Sequence, residues 1–188
     1  MKTLKGSETE KNLYKTFAGE CRARSKYNLF GEKAREEGYM WIAEVFDITA
    51  GNEYAHAREV YNRYLECVKD TEENLMAAAI GETEEFRDIY KEFEETAKKE
   101  GFKEIAHFFK ELREVEEAHQ KRFLDLYEKV KSGHFFESKK TTKWVCLNCG
   151  YIHEGEEAPD ECPLCKFPQS YFKEDNCKKE KEDNKAKK

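Results

Sequence analysis

Carboxylates and imidazoles stand in this chain where helices should be apolar. Ile105, Phe109, Leu112, Glu116, His119, Phe123, Leu126 and Val130 follow one another in alternating steps of four and three. That spacing draws one stripe along an α-helix, the stripe that turns toward a core. Glu116 and His119 fall in its middle. A second stripe, Ile42, Phe46, Thr49, Glu53, His56 and Val60, repeats the arrangement. Glu20 is flanked by Leu13, Phe17 and Tyr27, while Leu75, Ala78, Ile89 and Phe93 flank both Glu82 and Glu85. Burying a single ionised carboxylate without a partner costs several kcal/mol. The stripes carry Arg24 and little other positive charge, so salt bridges do not account for five carboxylates. Metal cations do.

The helical zone also repeats itself. Residues 34–56 lie on 97–119 at an offset of 63, with nine of 23 positions identical, among them Gly38/Gly101, Glu53/Glu116 and His56/His119. Upstream, Gly19-Glu20 matches Gly81-Glu82 at an offset of 62. Ser7-x-x-Glu10 has the form of a capping box, Asp70-Thr71 followed by two glutamates suits a helix start, and Gly38 and Gly101 suit helix ends. The expected helices are 8–37, 39–67, 71–99 and 102–131, a four-helix bundle with internal two-fold pseudosymmetry. Glu53-x-x-His56 and Glu116-x-x-His119 each put two ligands on one helical face, and a glutamate from each other helix completes a two-metal site. A lone Glu-x-x-His in a Glu-rich helix is ordinarily a solvated face; two such pairs and three further glutamates on core stripes are not. His107, His134 and His153, and the neighbours Glu84 and Glu114, take the bland reading. Mixed carboxylate and imidazole ligation suits iron or manganese. The fifth carboxylate gives the site a ligand to exchange, with Glu85 and His56 the candidates.

Beyond the helices, Cys146-x-x-Cys149 and Cys162-x-x-Cys165 are separated by twelve residues. That is the spacing of a tetrathiolate metal knuckle. Zinc is the usual occupant of such a ribbon. An aromatic-rich setting and fusion to a redox dimetal domain favour iron. The expected division is a bundle at 1–131, a linker at 132–143, the knuckle at 144–172 and a charged, disordered tail at 173–188. Cys21, Cys67 and Cys177 stand apart from these motifs.

The motifs FAGECRARSKY, NEYAHA, GETEEFRDIY, EEAHQKRF and VCLNCGYIHEGEEAPDECPLC, in that order, resemble those of the rubrerythrins over residues 4–172. The resemblance implies an all-α ferritin-like four-helix bundle followed by a small rubredoxin-like domain. It implies di-iron ligation by Glu20, Glu53, His56, Glu82, Glu85, Glu116 and His119, hydrogen-bond donation by Tyr27 and Tyr90, and one iron on Cys146, Cys149, Cys162 and Cys165. It further implies reduction of hydrogen peroxide in the cytosol of anaerobes and microaerophiles. Cys21 after the first ligand and the tail with Cys177 depart from the pattern without removing a ligand.

The expected function is therefore peroxide reduction at a di-iron site. Electrons would pass through the thiolate iron from a separate NAD(P)H-linked reductase or a rubredoxin. Iron oxidation and storage is the rival reading, but it has little use for a fused one-electron relay. With 34 Lys+Arg against 40 Asp+Glu the net charge is −6, which argues against a general nucleic-acid binder. No apolar run reaches the length of a membrane span, the N-terminus lacks a signal-peptide stretch, and a cytosolic protein is expected. Glu53 and Glu116 each lie fifteen residues past their turn glycines, at matched depth. Pseudosymmetry makes the second and third helices parallel, which strains the short connector between them. A domain-swapped homodimer relieves that strain.

Overall fold

The computed structural model describes residues 3–175, so residues 176–188 of the expected tail, with Cys177, lie outside the described residues; Lys173 and Glu174, expected to be disordered, are instead paired in a strand, Phe172–Glu174. The chain divides into two compact units, Met1–Asp70 and Thr71–Lys188.

The first unit is a helical hairpin, α1 (Glu8–Glu36) and α2 (Met40–Arg58), with α2 continuing as a π-helical stretch, Glu59–Tyr64. Half of the expected capping box forms: the Ser7 side chain accepts from the Glu10 amide at 3.1 Å, while the Glu10 carboxylate accepts from the Gly6 amide and the Ser7 amide donates to the Leu4 carbonyl oxygen instead. Gly38 closes α1 at φ 83°, a left-handed conformation open to glycine without strain. The helices meet along small residues as well as along part of the apolar stripe, where Phe46 packs on Tyr27 and Phe30. Ala34, Ala43, Ala50 and Ala57 are buried, and a Cβ on Gly31 would sit 3.0 Å from Asp47 Oδ1 and 3.5 Å from the Ala43 carbonyl oxygen. Ile42, expected in the core, stays 46% exposed, because a two-helix hairpin covers only one flank of each helix.

The second unit repeats the hairpin and adds a sheet. Helix α3 (Thr71–Glu84) runs into a π-turn, Glu85–Ile89, and resumes as α4 (Tyr90–Glu100); both parts pack on α5 (Lys103–Lys131). Gly101 ends α4 at φ 87°. The four expected helices are thus present, but two are interrupted by wide turns that apolar periodicity does not reveal. Three strands follow, β1 (Glu137–Cys146), β2 (Ile152–Glu157) and β3 (Phe172–Glu174), antiparallel in the order β2-β1-β3. Trp144, Cys146, Ala158, Cys162 and Phe172 form the core of this small domain, with Phe136 packed against it. Residues 137–143, expected to be linker, therefore belong to β1. Their polar Lys/Thr composition hides strand structure because much of this stretch faces solvent, and Thr142 and Lys143 pair with Gly155 and Glu154. One ion pair, Lys129 Nζ to Glu174 Oε2 at 2.5 Å, joins the end of α5 to β3.

Candidate metal centres

In the first unit, Glu20 on α1 and Glu53 and His56 on α2 converge, with one ligand atom from each within 4.8 Å of the others. His56 Nδ1 lies 3.1 Å from Glu53 Oε2 and 3.5 Å from Glu20 Oε2. Hydrogen bonding to Glu53, then burial, pushes the Glu20 carboxyl above the usual carboxylate range. The Glu53 contact raises the His56 imidazole against the opposing pull of burial.

The second unit builds the same cluster from Glu82 on α3 and Glu116 and His119 on α5, again within 4.8 Å. His119 Nδ1 lies 2.8 Å from Glu116 Oε2 and 3.8 Å from Glu82 Oε1. Burial, then Glu116, raises the Glu82 carboxyl. Two carboxylates pressed together repel unless they share a proton or a cation, and each pair has an imidazole beside it. Oxygen and imidazole donors of this kind suit iron.

Glu85 stands apart from this second cluster. It lies close enough to Glu82 and to the Tyr90 hydroxyl to help raise both. Burial, then Glu85, holds the Tyr90 hydroxyl above its ordinary range, so Tyr90 is a neutral donor. The surroundings of the two clusters match closely. Tyr27 stacks on Phe46 at 6.1 Å and Tyr90 on Phe109 at 6.2 Å. Phe30–Phe46 and Phe93–Phe109 are 5.6 and 5.5 Å apart.

A pair that the stripes did not reveal lies beside Glu85. Glu94 is buried at 5% exposure and accepts from Arg113 Nη1 at 2.7 Å and Lys98 Nζ at 2.5 Å. Its carboxyl is held below the usual range by Lys98, then Arg113. Arg113 Nε donates to the Phe86 carbonyl oxygen at 2.9 Å. The signal was present, since Arg113 follows Phe109 by four and precedes Glu116 by three. Arg24 lies over the Tyr54 ring at 4.2 Å. Glu84 and Glu114 are exposed, and His134 and His107 pair with Glu137 and Glu111.

The four cysteines converge as the spacing requires. Cys146 and Cys165 sulfurs are 3.7 Å apart, as are Cys149 and Cys162, and all four fall within 4.8 Å. Metal–sulfur bonds of about 2.3 Å in a tetrahedron put sulfurs ~3.8 Å apart, so the sulfurs fit one ion. The two knuckles are built alike: Gly150 N–H donates to the Cys146 carbonyl at 2.8 Å and Lys166 N–H to that of Cys162 at 2.9 Å. Both residues have positive φ, 77° for Gly150 and 63° for Lys166. The Asn148 side chain pulls Cys165 down to about 6. The Tyr151 amide draws Cys149 down too, but burial and the other thiols outweigh it and push Cys149 up to about 12.

Paired helices bearing two Glu/Glu-x-x-His clusters, joined to a tetrathiolate knuckle, define a carboxylate-dimetal protein with a second, thiolate-bound metal site. The chain belongs to the rubrerythrin family. The rubrerythrin model matches residues 11–127 and again 73–147, and the rubredoxin-like domain of rubrerythrin matches 144–173. It is 42% identical over 185 residues to a rubrerythrin of Nitratidesulfovibrio vulgaris, covering 92% of this chain and 96% of that one. To a rubrerythrin of Porphyromonas gingivalis it is 45% identical over 184 residues, covering 91% and 92%. A solved structure of partially reduced nigerythrin is 32% identical and covers 92% of this chain and 89% of its own, with a TM-score of 0.35. Both donor sets fit iron, a pair on the glutamates and histidines and a single ion on the cysteines. Among the described residues no helix is long and apolar enough to cross a membrane.

Proposed function

We propose that this chain is a non-haem di-iron peroxidase that reduces hydrogen peroxide to water, H2O2 with two protons and two electrons giving two waters. The observation that carries the reading is the fusion of a carboxylate/histidine dimetal ligand set with a tetrathiolate knuckle in one chain. Bound iron supplies the electrons, two at the dimetal pair for O–O cleavage and one at a time through the thiolate centre. The chain's own residues do the rest. Glu20, Glu53, His56, Glu82, Glu85, Glu116 and His119 would hold the pair. Tyr27 and Tyr90 act as hydroxyl donors beside it, Tyr90 to the Glu85 carboxylate. The ring clusters of Phe30 with Phe46 and Phe93 with Phe109 wall off one side of each tyrosine. Carboxyls that hold protons at raised pKa suit proton delivery to a peroxide oxygen.

The electron donor is an NAD(P)H-linked rubredoxin reductase or a rubredoxin, in the cytosol. The working assembly is a domain-swapped homodimer. Glu20, Glu53 and His56 of one chain meet Glu82, Glu85, Glu116 and His119 of a second copy. In its support, the chain divides into units at Asp70/Thr71, between these ligand sets, and each unit leaves large apolar residues exposed, Trp41 at 78% and Phe108 at 58%. Anaerobic assay of peroxide consumption, with metal analysis, tests the activity. Three irons per chain and peroxide-dependent oxidation of the donor are expected. Zinc in the knuckle with no bleaching by reductant would overturn the relay.

A further inference from the structure

The two hairpins match so closely that their one difference in length is informative. Seven residues separate Glu20 from Tyr27, but eight separate Glu82 from Tyr90. On an unbroken α-helix seven steps return to within about 20° of the starting face, while eight overshoot by about 80°. Yet both tyrosines stack on their partner phenylalanines at the same distance, 6.1 and 6.2 Å. The π-turn at Glu85–Ile89 absorbs the extra residue, since its i→i+5 bonding takes one more residue per turn. It also brings Glu85 and Tyr90, five apart, toward one face, near enough for the carboxylate to act on the hydroxyl. Helix α1 needs no such turn and runs unbroken from Glu8 to Glu36.

Arg113 holds this turn from outside. It donates through Nε to the carbonyl oxygen of Phe86, the residue after Glu85, and through Nη1 to buried Glu94. The first hairpin lacks the whole device. At the offset of 63 the counterpart of Arg113 is Ala50 and that of Glu94 is Gly31, both buried, and at the offset of 62 the counterpart of Glu85 is Ala23. Extra carboxylate, wide turn and guanidinium clamp occur together in one hairpin; in the other, α1 runs unbroken past Glu20 and Tyr27, and its one wide turn, Glu59–Tyr64, lies beyond the ligands of α2.

We propose that Arg113 is a positioning residue for Glu85. Anchored on Glu94, it holds the backbone of the π-turn, and the turn sets Glu85 beside Glu82 and Tyr90. This rests on the reading of Glu85 as a metal ligand. Removing Arg113 lets the segment shift toward regular helix, which rotates Glu85 away from the dimetal centre while leaving the other six ligands in place.

The test is retention of the bundle iron by the oxidised full chain against increasing concentrations of a ferric chelator, with the knuckle already loaded and its visible absorption serving as a folding control. Glu85→Ala is expected to weaken the second of the two bundle ions about tenfold, and Arg113→Ala to do the same, with the first ion unaffected. The double variant should bind no more weakly than Glu85→Ala alone. Hydrogen exchange at amides 86–90 should quicken in Arg113→Ala and not in Glu85→Ala. Should Arg113→Ala fail to fold, Arg113→Lys keeps a cation at Glu94 but lacks the fork to reach Phe86 as well, and should still weaken the second ion. Normal binding by Glu85→Ala overturns the ligand reading and the proposal with it. A Glu85→Ala defect alongside unchanged Arg113→Ala or Arg113→Lys binding, or additive losses in the double variant, overturns the positioning role alone.

Discussion

Complementation between two dead chains measures the swap directly. Glu20→Ala disables the ligand set of the first unit and Glu116→Ala that of the second, at positions 25% and 11% exposed in their side chains. Mixed in equal amounts and co-refolded, half of all dimers carry one chain of each kind. In a swapped heterodimer one site collects both lesions and the other collects neither. One site in two, in half of the dimers, gives about a quarter of wild-type peroxidase activity. An unswapped dimer leaves one lesion in every site and no recovery. The converse mixture sharpens the result. Wild type combined with a chain carrying both substitutions retains about a quarter of the activity if the dimer is swapped and about half if each site lies within one chain. Activity is read as anaerobic peroxide consumption, and knuckle absorption confirms equal loading. Zero in the first mixture together with half in the second would refute the swap.

Cys165→Ser should abolish steady-state peroxide turnover but leave one turnover of chains reduced beforehand, which stopped-flow mixing with peroxide resolves. Glu94→Gln should cost about 2 kcal/mol at pH 7, the scale of charge-assisted hydrogen bonds, measured by urea unfolding of the chelator-stripped chain. Because Lys98 and Arg113 hold the folded carboxyl below its unfolded value, that stabilisation exists above the unfolded pKa, about 4.3, and disappears as pH falls through the folded one. The gap between wild type and Glu94→Gln should therefore close in acid. Trp144→Ala, at a side chain 1% exposed, should cost about 3–5 kcal/mol of the small domain's stability and bleach the thiolate iron while far-UV helicity persists.

What could be read from the residues was whatever depends on local period and local chemistry. Ser7, Gly38 and Gly101 mark helix ends because capping and positive φ are properties of a few adjacent residues. The ligand clusters were legible because Glu-x-x-His fixes two donors on one face, and the thiolate site because Cys-x-x-Cys closes its own turn. The π-turn was not, although the change of offset from 62 to 63 records it, since periodicity over a few apolar residues tolerates one extra step. Arg113 stands at stripe spacing from Phe109 and Glu116, but its pairing with Glu94 escaped because nothing in either helix alone indicates that the two meet. The strand at 137–143 escaped because its Lys and Thr side chains face water. The contrast between Ala50 burial and Ile42 exposure was hidden as well, for an apolar stripe does not say which of its flanks a given hairpin covers.

The small sheet also bears on how the newly made chain waits for its iron. Five residues form its core, two of them cysteines, so before metal arrives little holds the strands together. Loose strands in that condition invite pairing with other chains. Here the outer strand β2 carries Glu154, Glu156 and Glu157, and the opposite edge, β3, is only three residues long. On the central strand Lys139 and Lys140 occupy the stretch before pairing with β2 becomes regular. Like charges along one edge and brevity at the other disfavour edge-to-edge addition.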